Sequence, residues 1–173
     1  MERKILIAYF SRPGENYAGG SMVQLKTGNT AEAAQKLAAL TNGELFEIRR
    51  VTPYAAGYRA CVDESVRELK ENARPDLAKS LADIDRYDTV ILAYPCWCGT
   101  MPMPVWTFLE QYDFSGKTIL PLCTHEGSGM GKSEADIRKL CPGAVLKKGL
   151  AVVGSKVGGC DGVLAGWLKT ELD

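Results

Sequence analysis

The chain has 173 residues, 46% of them apolar, with 21 Lys+Arg against 21 Asp+Glu. That length suits one domain, expected over residues 1–173, whose core needs no disulfide or metal staple. Balanced charge with no basic run longer than two residues excludes a nucleic-acid footprint, and no stretch nears the ~18 apolar residues of a membrane span.

Met1 to Lys4 leads straight into the short apolar run Ile5–Phe10, which is strand-like and too short for a secretory signal. A cytoplasmic location and reduced thiols at the six cysteines are therefore expected. Cys96-x-Cys98 has the wrong spacing for a zinc site, and the chain has a single His, so no metal is expected.

Ile5–Phe10 reads as a strand covered on both faces. Pro13 to Lys26 reads as a glycine-bearing loop. Ala31, Ala34, Leu37, Ala38 and Thr41 then recur at helical spacing and stop at Asn42-Gly43. Glu44 to Ile48 alternates partly, as an edge strand does. Val62, Val66 and Leu69 would share one face of a helix that Pro75 closes. Thr89 to Tyr94 is a second fully apolar strand, and Pro104 opens a helix with Val105, Phe108, Leu109 and Tyr112 inward. Thr118 to Cys123 is a third such strand, although Pro121 cannot donate to a ladder and would suit an edge. Ser133 and Asp136 resemble a capping box. Val145 to Val153 reads as one last strand, weak at Gly149, before a helix with Val163, Leu164, Trp167 and Leu168.

Five strands alternating with helices predict an α/β fold: a doubly wound parallel sheet with helices on both faces. Ligands of such sheets lie outside the carboxyl ends of the strands. After strand one come Ser11-Arg12, and the next helix opens with Thr27-Gly28-Asn29-Thr30. A helix N-terminus with hydroxyls and a bare glycine suits a phosphate, or else Thr27 or Asn29 merely caps the helix. After the second apolar strand come Pro95-Cys96-Trp97-Cys98-Gly99, where Trp97 either stacks on a planar ligand or plugs the core. After the third come Thr124-His125-Glu126-Gly127-Ser128-Gly129, small residues that let backbone approach a ligand.

These stretches, with Tyr9-Phe10, Tyr94 and Thr100-Met101-Pro102, resemble the flavodoxin family in order and placement along nearly the whole chain. The resemblance implies a five-stranded sheet of order 2-1-3-4-5 and one non-covalent FMN. It places the FMN phosphate on Ser11, Gly28, Asn29 and Thr30 beside Arg12. It places the flavin ring between the Pro95–Met101 loop, with Cys96, Trp97, Cys98 and Gly99, and the loop with Thr124, His125, Gly127 and Ser128. The chain departs from the family pattern in its fourteen inserted residues Pro13 to Lys26, and in being neutral where electron carriers of the family are acidic. The insert could form a lid over the flavin mouth, a contact with a second subunit in a homodimer, or a bland surface loop.

Rival motifs fail. Gly131-Lys132-Ser133 lacks the glycine a phosphate-binding P-loop needs at position 126, and Gly127-Ser128-Gly129 lacks dinucleotide-fold spacing. A phospho-receiver would need acidic residues where Phe10-Ser11 and Tyr94-Pro95 stand. Two functions remain: a flavodoxin-like redox protein passing electrons to a partner protein, or an FMN-dependent NAD(P)H:quinone-type oxidoreductase with a small acceptor such as a quinone.

Overall fold

The computed structural model describes residues 2–173. Its elements run β1 (Ile5–Tyr9), β2 (Gly14–Ala18), β3 (Ser21–Leu25), α1 (Asn29–Thr41), β4 (Glu44–Glu47), α2 (Tyr58–Lys70), β5 (Thr89–Pro95), α3 (Met103–Gln111), β6 (Thr118–His125), α4 (Ser133–Leu140), β7 (Val145–Leu146), β8 (Leu150–Val153) and α5 (Asp161–Leu172). The main sheet is parallel in the order β4-β1-β5-β6, with both β7 and β8 on the outer side of β6. This is the expected doubly wound arrangement, in six strands and not five. Among the described residues no helix is long and apolar enough to cross a membrane.

Alternation along the strands builds two cores, because successive side chains point to opposite faces. Leu6, Ala8, Val90, Leu92 and Tyr94 meet Val105 and Phe108 of α3 and Ile137 of α4. Ile7, Ile91, Ala93, Leu120 and Leu122 meet Ala33, Ala34 and Leu37 of α1 and Leu164, Trp167 and Leu168 of α5. Each large side chain buried this way contributes about 1.5–3 kcal/mol, which makes the double burial the main term holding the sheet.

Pro121 lies inside the sheet, and the break in its neighbour explains why. The carbonyls of Lys117, just before β6, and of Ile119 within it accept from Val145 and Lys147 N–H at 2.8 and 2.9 Å, so these alternate residues turn their backbone groups outward. Pro121, two further on, turns its donorless nitrogen to the same side. There the outer strand is interrupted at Gly149, where a Cβ would stand 3.1 Å from the Pro121 carbonyl. The expected single strand Val145–Val153 is therefore two.

Three further expectations need correction. Pro13–Lys26 is no loop: β2 and β3 pair antiparallel around Gly19-Gly20, both at positive φ, a tight two-residue hairpin turn. On α2 the buried residues are Cys61 and Ser65, while Val66 is 49% exposed, because the helix packs against α3 and β2 and not onto the sheet. Ser133 makes no capping box. Its fully buried hydroxyl donates to the Met130 carbonyl at 2.6 Å and accepts the Tyr94 hydroxyl at 2.8 Å, and Asp136 instead accepts from Thr100.

Ser133→Ala leaves the Tyr94 hydroxyl buried without its acceptor and should cost about 1–3 kcal/mol. In urea denaturation Tyr94→Phe should recover part of that loss in the Ser133→Ala background. Independent, additive losses would refute the pairing.

Candidate functional site

At the carboxyl edge of the sheet β1 ends in Phe10-Ser11, and α1 starts beside it. Gly28 precedes α1 in an extended conformation, and no side chain of the helix's own first residues caps it. Ser11 caps it from a distance: its Oγ accepts the Ala31 N–H at 3.0 Å. A Cβ on Gly28 would overlap Ser11 Oγ and stand 3.0 Å from the Arg12 carbonyl group, so only glycine lets the two segments meet. Thr30, 2% exposed, pairs its hydroxyl with that of Thr124 at 2.8 Å and ties the helix start to the end of β6. The first N–H groups of α1 have no acceptor within the helix, so they leave a positive, donor-rich end.

Residues 97–100 form a tight turn. Trp97 and Thr100 exchange backbone hydrogen bonds at 2.9 and 3.1 Å, with Cys98 and Gly99 at φ +53° and +75°, a type I′ geometry. The turn is anchored by the Gly99 carbonyl, which accepts the Lys132 N–H at 2.7 Å. Trp97 meets Phe10 and Tyr54 edge-on, each at 5.1 Å between ring centroids, and also lines the cleft between β1 and β6. It is core plug and cleft wall at once.

Beside Trp97 the Cys96 thiol is pulled down to about 7, chiefly by the adjoining Cys123 thiol and against the opposing effect of burial. Cys123 is pushed up by the same contact and by its own burial. Across the cleft His125 Nδ1 accepts the Gly127 N–H at 2.9 Å, which leaves the proton of a neutral ring on Nε2.

The hairpin crosses the mouth of this cleft and is fastened at both ends. At its base Glu15 accepts the Tyr58 N–H at 2.8 Å, and Asn16 donates to the Arg12 carbonyl at 2.9 Å. At its tip the Glu126 carboxylate accepts the Gly19 N–H at 3.2 Å and the Ser155 N–H at 2.8 Å. Glu126 thus latches the hairpin to the segment after β8.

A family model described as "Flavodoxin" matches residues 4–170. The chain belongs to the flavodoxin family. Among solved structures, a provisionally named flavoprotein from Bacteroides eggerthii is 29% identical, with 98% of each chain covered and a TM-score of 0.79. Another from Bacteroides uniformis is 28% identical, covering 98% of this chain and 99% of that one, with a TM-score of 0.76. A Lactobacillus acidophilus flavoprotein in complex with FMN is 20% identical, covering 90% and 97%, with a TM-score of 0.67, and shares the fold. No curated protein matches the chain.

In this flavodoxin-family chain the cleft, of about 310 Å3, brings together ten of the residues expected there: Ser11, Arg12, Asn29, Thr30, Pro95, Cys96, Trp97, Thr124, His125 and Ser128. Four others do not line it. Gly28 lies behind Ser11, Cys98 faces a neighbouring cavity, Gly99 anchors its turn, and Gly127 holds His125. Asn16, Tyr17, Tyr58, Glu126 and Gly154 also line the cleft and were not foreseen. Gly-Gly between Tyr17-Ala18 and Ser21-Met22 was a readable hairpin signal, and Gly154 follows the last strand, an end that strand-edge logic also covers. Tyr58 carries no local signal, since the hairpin brings it in.

Glu126→Ala should release the hairpin tip, and amide exchange at Ser155 should quicken about fivefold, as for loss of about 1 kcal/mol. Unchanged exchange at Gly19 and Ser155 would dismiss the latch. Iodoacetamide labelling of native protein should show a component that rises with pH and is half-maximal near pH 7, since the Cys96 thiolate accumulates above the lowered value. Cys96→Ser should abolish that component, and its survival would place the reactive thiol elsewhere.

Proposed function

We propose that this protein binds FMN non-covalently and acts as a flavodoxin-like electron-transfer protein. One observation carries the reading: the open start of α1, fitted to the end of β1 by the Ser11–Gly28 approach, faces the same cleft as Trp97 and the loop after β6. The donor set fits a terminal phosphate. Ser11, Asn29 and Thr30 offer hydroxyl, amide and backbone N–H groups, and Arg12 adds a charge whose guanidinium meets only the Glu15, Ala55 and Ala56 carbonyls. Glu126, the one carboxylate in the described lining, is engaged by the Gly19 and Ser155 N–H groups. The FMN complex of the Lactobacillus acidophilus relative supports the choice of flavin.

In this reading Pro95, Cys96 and Trp97 border one side of the ring and Thr124, His125 and Ser128 the other. Gly28, Cys98, Gly99 and Gly127 shape the walls from behind. Bound FMN would supply one- and two-electron chemistry, while the chain binds it, orients it and, through the hairpin, limits water at its edge. The Cys96 thiol, beside the ring's expected position, would hold or release a proton near neutral pH.

A second reading, an FMN-dependent NAD(P)H:quinone-type oxidoreductase, is favoured by the hairpin across the mouth and by a further cavity beside the cleft. The neutral net charge also gives little long-range field for finding a basic protein partner.

Isothermal titration should show FMN binding well ahead of riboflavin, which lacks the phosphate. Ser11→Ala should lose about 1.5–3 kcal/mol for FMN, the range for a hydrogen bond to a charged group, and almost nothing for riboflavin. Equal affinity for the two ligands would contradict the phosphate seat.

A further inference from the structure

Trp97 is held differently from the other tryptophans. Among the described residues only Trp106 and Trp167 of the three anchor their indole N–H groups, on the Met101 and Lys148 carbonyls at 3.2 and 2.9 Å. The backbone of Trp97 is pinned by Thr100, but a backbone pair leaves the side-chain torsions free to change rotamer. The plane of its ring therefore rests on two edge-on neighbours, Phe10 and Tyr54, which also meet each other at 6.0 Å and 84°.

Of these two, Phe10 is fixed by the sheet: it follows β1, is 4% exposed, and its N–H donates to the Ala93 carbonyl at 3.0 Å. Tyr54 has no such support, because residues 51–57 belong to no helix or strand. Charge holds it in place. The Arg50 guanidinium lies 3.5 Å over the Tyr54 ring, a cation–π contact. Glu68 of α2 accepts both the Tyr54 hydroxyl and an Arg50 N–H. Glu64, one turn earlier on the same helix, accepts Arg50 at 2.6 Å and the Ala55 N–H at 2.8 Å. The three charged side chains are only 12–22% exposed, so their pairing is screened less than a surface pair would be. Burial and the Glu68 bond push the Tyr54 phenol up, so it keeps its proton and goes on donating at neutral pH. Trp97 lines the cleft and Tyr54 does not, so Tyr54 reaches the site through the indole alone.

Resting on the FMN reading above, we propose that Tyr54 is a positioning residue of the flavin site: Arg50, Glu64 and Glu68 clamp it, and its ring edge sets the plane that Trp97 presents to the cleft. The consequence is preorganisation. An indole already locked needs no further ordering when a flat ring meets it. A loose one must be ordered on binding, which lowers affinity about threefold to tenfold by the usual cost of fixing one side chain. The effect belongs to the flavin ring and not to the phosphate, so FMN and riboflavin should feel it alike.

Protein labelled with 5-fluorotryptophan gives a 19F resonance for each of its three tryptophans, and Trp97→Phe assigns that of Trp97. In flavin-free protein Tyr54→Leu should shift or broaden the Trp97 resonance. Those of Trp106 and Trp167 should stay in place, which reports that the fold is kept. On titration the same variant should bind riboflavin and FMN more weakly by a common factor, about threefold to tenfold. Tyr54→Phe keeps the ring edge and the face under Arg50, and should bind both within about twofold of wild type. Glu68→Gln offers one oxygen where two donors meet. It should move the Trp97 resonance in the same direction by less, and it decides the matter if the Leu variant does not fold. An unmoved Trp97 resonance would overturn the inference, and so would all three resonances moving together. A moved resonance with unchanged flavin affinities would do the same. Loss of affinity for FMN alone would place the effect at the phosphate seat and also overturn it. A wild type that binds neither flavin would overturn the underlying reading instead.

Discussion

Everything at the carboxyl edge depends on how closely the start of α1 approaches the end of β1. The missing side chain of Gly28 lets Ser11 Oγ reach the Ala31 N–H, and a methyl group there would force the two segments apart. That approach sets the direction of the helix end, and with it where the unpaired N–H groups point. Thr30 then fixes the same end to β6 through Thr124, so two strand ends and one helix start form a single corner. The site is a consequence of backbone packing, to which the polar side chains are added.

The second constraint is the hairpin. Fourteen residues that could have been a floppy connection are paired over five registered positions, from Gly14↔Leu25 to Ala18↔Ser21. Two carboxylates anchor it, Glu15 at the base and Glu126 at the tip, and each accepts backbone N–H groups from a different element. The two bonds at the tip are exposed and individually small, so the hairpin is held more by its base and its own ladder than by its tip. Tyr17 and Met22, opposite each other and about half exposed, give the hairpin apolar surface at the cleft mouth.

Much of this was legible in the sequence, and for a physical reason. Two-sided apolar strands such as Ile5–Phe10 and Thr89–Tyr94 admit little besides a covered parallel sheet, and once that sheet is assumed, the residues just past each strand must meet at one edge. Ser11, Asn29, Thr30, Trp97 and His125 were found that way and do share the cleft. Features set by contacts distant in sequence were hidden. The Ser133 hydroxyl looks like a cap until Tyr94 is placed over it, and Pro121 looks like an edge residue until Gly149 interrupts the strand beside it. The apolar spacing of α2 misled because that helix does not lie on the sheet, so Val66 faces solvent while Cys61 and Ser65 turn inward.

The central claim is that the start of α1 receives the phosphate of a flavin nucleotide, and amide chemical-shift mapping tests it at the atoms concerned. Adding FMN to 15N-labelled protein should shift the Asn29, Thr30 and Ala31 amides strongly, together with those of the 96–99 and 124–128 segments. Riboflavin at saturating concentration should move the last two segments and leave residues 29–31 nearly still. If FMN and riboflavin shift residues 29–31 alike, or FMN leaves them unmoved while binding elsewhere, the phosphate seat is not at α1 and the account built on the Ser11–Gly28 corner is wrong.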